Sequence, residues 1–539
     1  MTEQIVVAPL VIALLGAVCT LATRSRARVQ RGVAVVAIAA YALAAVGLAI
    51  AVFTNETLVY QVSQWPAPWG ITLVADPLAA FFLAIAAPVA LIAGLDAIAH
   101  VDRFGQRLSV HPLYLFMLAG VTGAFLTGDI FNLFVWFEVM LLPSYVFVAF
   151  VGRARHTRAA FTYTVINLLG SAFMLVAIGG LYAVTGTLNM ADLARRLAAP
   201  VEYGIDPVPV TGLALLLIAV FALKAGLVPF HVWVPDAYRA APAPVTAVLA
   251  GVTKKVGIYA IIRLSVTVFA AARLPADLAI LEGATITGAI GPLLFTMATA
   301  SIVLGGLGAL ARDDLDEILA YSSIAQVGFI AVVIALALTT PTPGIAAGAA
   351  DPLRTLALAA ALVYSLNHAL AKSALFLATG TIRDAVGTLS IADLDGLASD
   401  RPVLGASVLI AGVSLIGLPP LVGFFGKLLV LAAGARSIAT GATIPGVLVL
   451  VATVGGAIVT IAYVSRVWIA AFWSAPTIQV SEARFDRRQI ALVAILAIGV
   501  VLTGLAVDPV GEAARTAAAA ALNRSAYIDA VGPMTEVPP

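Results

Sequence analysis

The sequence predicts an all-α polytopic membrane protein with about 14 transmembrane helices, and three observations carry that expectation. Of its 539 residues, 62% are hydrophobic and 11% charged, with a mean hydropathy of +1.06; soluble domains average roughly 45–50% apolar and about 25% charged. Apolar runs approaching the ~20 residues needed to cross a bilayer recur about fourteen times along the chain. The gaps between them leave no room for a soluble domain, even at their longest near 187–209, 383–401 and 467–487. The same figures exclude disorder and a secreted disulfide scaffold. A net charge of +2 is too small to hold nucleic acid. Cys19, the single cysteine, forms neither an internal disulfide nor a Cys-based metal or iron–sulfur site. His100, His111, His156, His231 and His368 show no ligand spacing, and neither a metal nor a cofactor is expected.

The runs start near residues 5, 31, 72, 112, 131, 160, 210, 244, 284, 318, 355, 402, 444 and 488. The first lacks a basic leader and a convincing cleavage site, which makes it a retained span. Arginines orient the rest. Arg24, Arg26, Arg28 and Arg31 fill the first loop, Arg103 and Arg107 the third, and Arg153, Arg155 and Arg158 the fifth; Arg466, Arg484, Arg487 and Arg488 mark the thirteenth. The second loop, Asn55 to Gly70, has no lysine or arginine. Odd loops are therefore expected on the cytoplasmic side and both termini outside. The acidic ninth loop, Arg312-Asp313-Asp314-Leu315-Asp316-Glu317, breaks the trend.

Lysine and arginine are used differently. The chain has 25 arginines, in loops or at span ends, and 5 lysines (Lys224, Lys254, Lys255, Lys372, Lys427), all within apolar segments. Arginine keeps its proton, whereas a buried lysine loses one readily. An ionisable group at membrane depth costs several kcal/mol and marks function by default. This placement suits proton handling. A GC-rich genome explains why lysine is rare, but not where the five stand.

Glu138, in Phe134-Val135-Trp136-Phe137-Glu138-Val139, is the glutamate at the centre of an apolar run, and there it must be protonated or paired with a cation. A pair that pins two helices and a pair that switches are both open. Asp129 stands at the outer end of the same span as an N-terminal cap. Lys224 opens Lys224-Ala225-Gly226-Leu227-Val228-Pro229-Phe230-His231-Val232-Trp233, where Pro229 and Gly226 interrupt the helix. Gly417-Leu418-Pro419-Pro420 before Lys427 repeats the device about 190 residues later, as the halves of an inverted-repeat transporter do; a simple kink with a packed lysine is the alternative. His231 is either a gate or a cap. Lys254 and Lys255 lie about 100° apart on a helix. Lys255, next to Gly257, is expected to be buried, and Lys254 to lie on another face. His368 and Lys372 share a face at i, i+4, where His368 serves as a relay or as an uncharged interhelical hydrogen bond.

Taken together, the Glu138 span, Lys224 through Pro244 with its His-x-Trp-x-Pro-Asp-Ala core, Lys255-Val256-Gly257, Leu319 to Gly328, Asn367 to Lys372 and the Lys427 segment resemble the antiporter-like subunits shared by respiratory complex I, membrane-bound hydrogenases and Mrp-type cation/proton antiporters. The resemblance runs from about residue 70 to 470. Gly128-Asp129-Ile130-Phe131-Asn132 through Glu138 is most similar to the D-type subunits of multisubunit Na⁺/H⁺ antiporters. The tail after the last span is too short for the long lateral helix of the largest complex I relative.

The resemblance implies two inverted five-helix repeats with broken helices 7 and 12. The corresponding division is 1–110 (helices 1–3), 111–272 (first repeat, break near 226–230), 273–475 (second repeat, break near 417–427) and 476–539 (helix 14 and tail). It implies a Glu138–Lys224 pair and a proton path through Lys255 and His368 to Lys427, with His231, Lys372, Asp129 and Lys254 as secondary members. The implied role is a non-enzymatic, proton-translocating subunit of a multisubunit antiporter in a bacterial-type plasma membrane. Its partners are the other subunits and lipid, exchanging H⁺ for Na⁺ or else K⁺ or Li⁺, with no nucleic acid. The alternative is a proton-pumping subunit of a complex I-type NADH-quinone oxidoreductase or a membrane-bound hydrogenase. Leu142-Pro143 and Tyr321-Ser322-Ser323 lean towards complex I. Asp316-Glu317 stands where relatives carry basic residues. Gln326 takes a place where some complex I subunits have histidine, and no relay is expected through it.

Overall fold

Helix boundaries follow local chemistry. Asp129, Asp206, Asp351 and Asp486 accept backbone N–H groups as N-caps, and prolines occupy the first turn at Pro207, Pro352 and Pro402. The computed structural model describes residues 3–100, 109–150, 152, 154–272, 285–339 and 351–532. Arg103, Arg107 and Arg153, used above for orientation, lie outside them.

Fourteen crossings are seen among the described residues, each beginning close to its expected start. They are α1 (Gln4–Ala22), α2 (Ala27–Thr54), α3 (Pro77–His100), α4 (Val110–Leu126), α5 (Ile130–Ala149), α6 (Ala154–Thr185), α7 (Pro207–Ala240), α8 (Ala243–Val268), α9 (Ile286–Leu310), α10 (Leu315–Thr339), α11 (Pro352–Val386), α12 (halves Pro402–Ile416 and Val422–Ala439), α13 (Thr443–Phe472) and α14 (Arg487–Leu505). Thirteen helices are long and apolar enough to cross a membrane; α4 and the first half of α12 are shorter. The helices Val507–Leu522 and Arg524–Val531 follow α14.

α8 is wholly buried, and α10, α11 and α3 are mostly so. The rim helices turn apolar side chains outward, among them Leu43 on α2, Phe161 and Val176 on α6 and Val451 and Ile458 on α13. That is the pattern of a bundle in lipid, with polar groups kept to its interior.

Even and odd loops gather at opposite ends. At one end, the strands β1 (Leu58–Gln61) and β2 (Thr72–Ala75) form an antiparallel hairpin that bridges to Thr127, and Asp129 bridges to Asn189. Here Arg263 and Asp76 form a buried ion pair at 2.6 Å, with Arg263 between the rings of Tyr259 and Tyr527. One arginine is thus enclosed within a span, and breaking such a pair costs about 3–5 kcal/mol. At the other end, the acidic ninth loop meets arginines from three other helix ends. Asp313 pairs with Arg466, Asp314 and Glu317 with Arg239, and Asp316 with Arg383. Local neutralisation explains how an acidic loop sits on the arginine-rich face.

Candidate functional site

α7 stops at Gly226, whose φ of +73° is open to glycine and caps the helix. The chain resumes through the 3₁₀ turn Phe230–Val232. The polar groups at this break are held by fixed neutral partners: Leu223 O accepts from Gly226 N at 3.0 Å and from the Trp233 indole at 3.1 Å, and Val228 N donates to Ser301 Oγ of α9 at 2.9 Å. Lys224, in the last turn before the break, is fully buried. Its Nζ donates to the Tyr163 hydroxyl at 3.4 Å and lies 5.8–5.9 Å from the ring centres of Phe137, Tyr163 and Trp233, an aromatic cage for a cation. Tyr163 in turn meets Ser144 Oγ at 3.1 Å.

The implied Glu138–Lys224 ion pair is not made. Glu138 is half-buried on α5 and accepts a hydrogen bond from Ser171 of α6. Lysine and glutamate occupy one corner of the bundle, but the aromatic cage takes the lysine and a serine takes the carboxylate. Asp129 caps α5 through Asn132 N at 2.8 Å, as expected, and burial pushes its carboxyl above the usual range. His231 lies half-buried in the 3₁₀ turn, close enough to Lys254 to feel its charge.

α8 brings two lysines to the centre, and here the expectation fails. Lys254 and Lys255 are both buried, at 0% and 1% exposure. A helix enclosed on every side has no outer face, so a 100° rotation leads from one interior neighbour to another. Lys254 Nζ donates to Ser323 Oγ at 3.2 Å, over the ring of Tyr238 at 5.2 Å. It also reaches the α7 break, where a Cβ added at Gly226 would lie 3.0 Å from it. Lys255 Nζ bonds Ala250 O at 2.9 Å and His368 Nδ1. Gly257 allows the close approach read from its sequence: an added Cβ would stand 2.6 Å from Phe221 O on α7.

His368 Nε2 meets Ser323 Oγ at 3.2 Å, so Ser323 touches both Lys254 and His368. One turn on, Lys372 donates to Ser322 Oγ at 2.7 Å and Leu319 O at 3.0 Å. Ser322 donates to Tyr463 OH at 2.8 Å, Gln326 Nε2 donates to the same oxygen at 2.9 Å, and Tyr364 OH donates to Gln326 Oε1. Gln326 therefore stands within the polar row, as an amide where a relay would need a group that both takes up and releases a proton. Tyr364 also reaches Leu415 O at 3.5 Å. Lys427 donates to that carbonyl and to Ile416 O, both at 2.9 Å, and lies 4.6 Å from the centre of the Phe329 ring.

The row thus runs from Lys224 past Lys254, Lys255, His368 and Lys372 to Lys427. All of the expected path residues except Glu138 are fully or nearly fully buried in it. The reading by sequence missed Tyr163, Ser322, Ser323, Tyr364 and Tyr463. A signal existed for some: Tyr364, His368 and Lys372 repeat every four residues on α11, as Ser322 and Gln326 do on α10. Among the described residues, no group of three or more His, Cys, Asp or Glu is placed to hold a metal. Chemically, buried amines, an imidazole and hydroxyls within hydrogen-bond reach can hold and pass protons.

Fourteen crossings, two of them broken beside a buried lysine, define a membrane protein of the antiporter-like class. Residues 127–455 match the family described as NADH:quinone oxidoreductase/Mrp antiporter, transmembrane, and the chain belongs to it. It is 33% identical over 505 residues to the D-type subunit of the Na(+)/H(+) antiporter of Alkalihalophilus pseudofirmus, covering 93% of this chain and 94% of that one. It is 38% identical over 401 residues to the N-type subunit of the NADH-quinone oxidoreductase of Desulforudis audaxviator, covering 72% of each. Among solved structures, a chain of the Mrp complex from Dietzia sp. DQ12-45-1b superposes with a TM-score of 0.83 at 26% identity, covering 98% of this chain and 99% of that one.

Proposed function

We propose that this chain is the proton-translocating subunit of a multisubunit Na⁺/H⁺ antiporter, working as a transporter component and not as an enzyme. The observation that carries the reading is the confinement of all five lysines to one buried polar row spanning the bundle. The match along nearly the full length of a D-type Na⁺/H⁺ antiporter relative supports the antiporter assignment. Neighbouring subunits complete the cation pathway, in a bacterial plasma membrane with both termini outside. Residues 111–272 and 273–475 act as the two inverted repeats, flanked by 1–110 and 476–539.

Lys224 holds its proton while Glu138 is ionised nearby, and releases it towards Lys254, Lys255 and His368 when that charge moves or is neutralised. Lys372 and Lys427 connect this centre to the other end of the row. Moving one charge across the membrane is worth about 2.3 kcal/mol per 100 mV, and a two-unit change in a lysine pKa about 2.7 kcal/mol. The two are matched well enough to couple. Glu138→Ala and Lys224→Ala should abolish Na⁺-driven proton movement in vesicles while the complex still assembles. Wild-type rates in both variants would sink the mechanism.

A second reading, a proton pump in a redox complex, draws on the likeness to the NADH-quinone oxidoreductase relative. It uses the same residues. Purifying the chain in mild detergent with everything attached separates the two: flavin or iron–sulfur absorbance supports the redox pump, and a set of small hydrophobic subunits without it supports the antiporter.

A further inference from the structure

Every hydrogen bond between Lys372 and Tyr463 donates in one direction: Lys372 to Ser322, then Ser322 to Tyr463. On the far side the direction reverses. Tyr364 donates to Gln326, and Gln326 donates to Tyr463 and to Thr460 at 3.3 Å. Donors from both sides converge on Tyr463, and the group between the two phenols is a primary amide.

A proton hopping along such a chain arrives at a lone pair of each oxygen while another proton leaves from that oxygen's O–H bond. A hydroxyl does both. An amide N–H₂ is a donor only, because its lone pair is delocalised into the carbonyl. A proton arriving at Tyr463 would have to pass to Gln326 Nε2, which has nothing to receive it. Exchanging the two ends of the amide changes only which phenol faces the nitrogen. The side branch ends too, since Thr460 donates to Gly456 O at 2.8 Å. A cavity of about 40 Å³ beside Ser322, Tyr463 and Leu415 is otherwise lined almost entirely by apolar side chains. A water held there would need roughly two to four polar partners.

We propose that Gln326 is a proton insulator, separating the Lys372 side of the row from the Lys427 side so that protons cross only when the surrounding helices rearrange. The inference rests on the proton-path reading and adds to it a residue that breaks the link between Ser322 and Tyr364, beyond which Tyr364 and Lys427 meet at the Leu415 carbonyl. An uninterrupted row of titratable groups would let protons run down their gradient without cation exchange.

The test uses the whole complex in sealed vesicles containing a pH dye. An external acid pulse is given in choline buffer free of Na⁺ and K⁺, with thiocyanate to balance charge. Gln326→His and Gln326→Glu each place a group that both accepts and releases a proton at this point. They should raise cation-independent proton entry at least about tenfold, equivalent to lowering a barrier by about 1.4 kcal/mol. Gln326→Leu, which breaks the same hydrogen bonds without supplying a relay, should stay as tight as wild type. The inference is overturned if the His and Glu complexes assemble fully and remain tight, or if the Leu complex leaks as they do. Lys427→Ala on the wild-type background tells the two ideas apart. Undiminished antiport there refutes the path itself, whereas lost antiport together with a tight Gln326→His complex refutes only the insulator.

Discussion

The two broken helices solve the same problem with opposite assignments. In α7 the Leu223 carbonyl takes neutral donors, the Gly226 amide and the Trp233 indole, which leaves Lys224 bonded to a phenol at 3.4 Å among three aromatic rings. In α12 the lysine does the capping. Gly417, at φ +95°, ends the first half, and Lys427 reaches back from the second half to donate to both Leu415 O and Ile416 O. The difference lies in which side of the break the lysine occupies. Lys224 stands before its break, in the last turn of the first half of α7, whereas Lys427 stands after its break, eleven and twelve residues beyond the carbonyls it folds back to cap. One lysine is therefore free to change partners, and the other is tied to its helix.

The largest expected effect follows directly. Lys427→Ala takes the charged donor from one buried and one part-buried carbonyl, Leu415 O keeping only the Tyr364 hydroxyl at 3.5 Å, at about 1–3 kcal/mol for each uncompensated group. It should lower the melting temperature of the purified complex as well as abolishing transport. Lys224→Ala should abolish transport with a much smaller thermal shift. Equal destabilisation by the two would erase the distinction between the breaks.

Trp233→Phe should loosen the first break. Leu223 O loses one of its two donors and keeps the Gly226 amide at 3.0 Å, a cost of about 1 kcal/mol, and the lysine's aromatic cage loses its indole. Vesicle antiport should drop several-fold while Glu138 and Lys224 remain in place; a wild-type rate would show that the indole does not set the lysine's freedom.

Gly257→Ala places a methyl 2.6 Å from Phe221 O, one turn before Lys224 on α7. Overpacking of this kind costs about 1–3 kcal/mol. Gly412→Ala near the second break meets only Val464 Cγ1 at 3.1 Å and should be tolerated better. Thermal unfolding of the two variants side by side checks the ranking.

The smallest effect is expected from Ser171→Ala, which removes the hydroxyl that holds the Glu138 carboxylate, a loss of about 1 kcal/mol. Assembly should be normal and antiport only modestly slower. Abolished antiport would instead make Ser171 a member of the path.

The crossings were legible because each is an apolar run whose hydrophobicity must match a bilayer, and the cap Asp129 stands at the start of its span in plain sequence. The two breaks were legible for the same reason, since proline and glycine act on their own helix. The sharing of one face by His368 and Lys372 followed from helical periodicity alone. The Lys254 assignment failed because burial of a helix face is set by what surrounds it, and α8 is surrounded completely. Asp316 and Glu317 were puzzling in isolation, since their arginines stand at Arg383 and Arg239, on other helices.

By itself, then, the sequence determined the class of molecule, the number and position of its crossings, and the restriction of titratable cations to the membrane interior. These are local properties, fixed by the free energy of moving each segment or side chain out of water. Only the tertiary structure decided who meets whom. It set Lys224 among aromatic rings instead of against Glu138, joined Lys372 to Tyr463 through Ser322, and placed Gln326 between two phenols. Apart from Lys224 over Trp233, these contacts link residues from 38 to 141 positions apart in the chain. No periodicity within a helix encodes them, because they depend on which faces the packed helices turn towards one another.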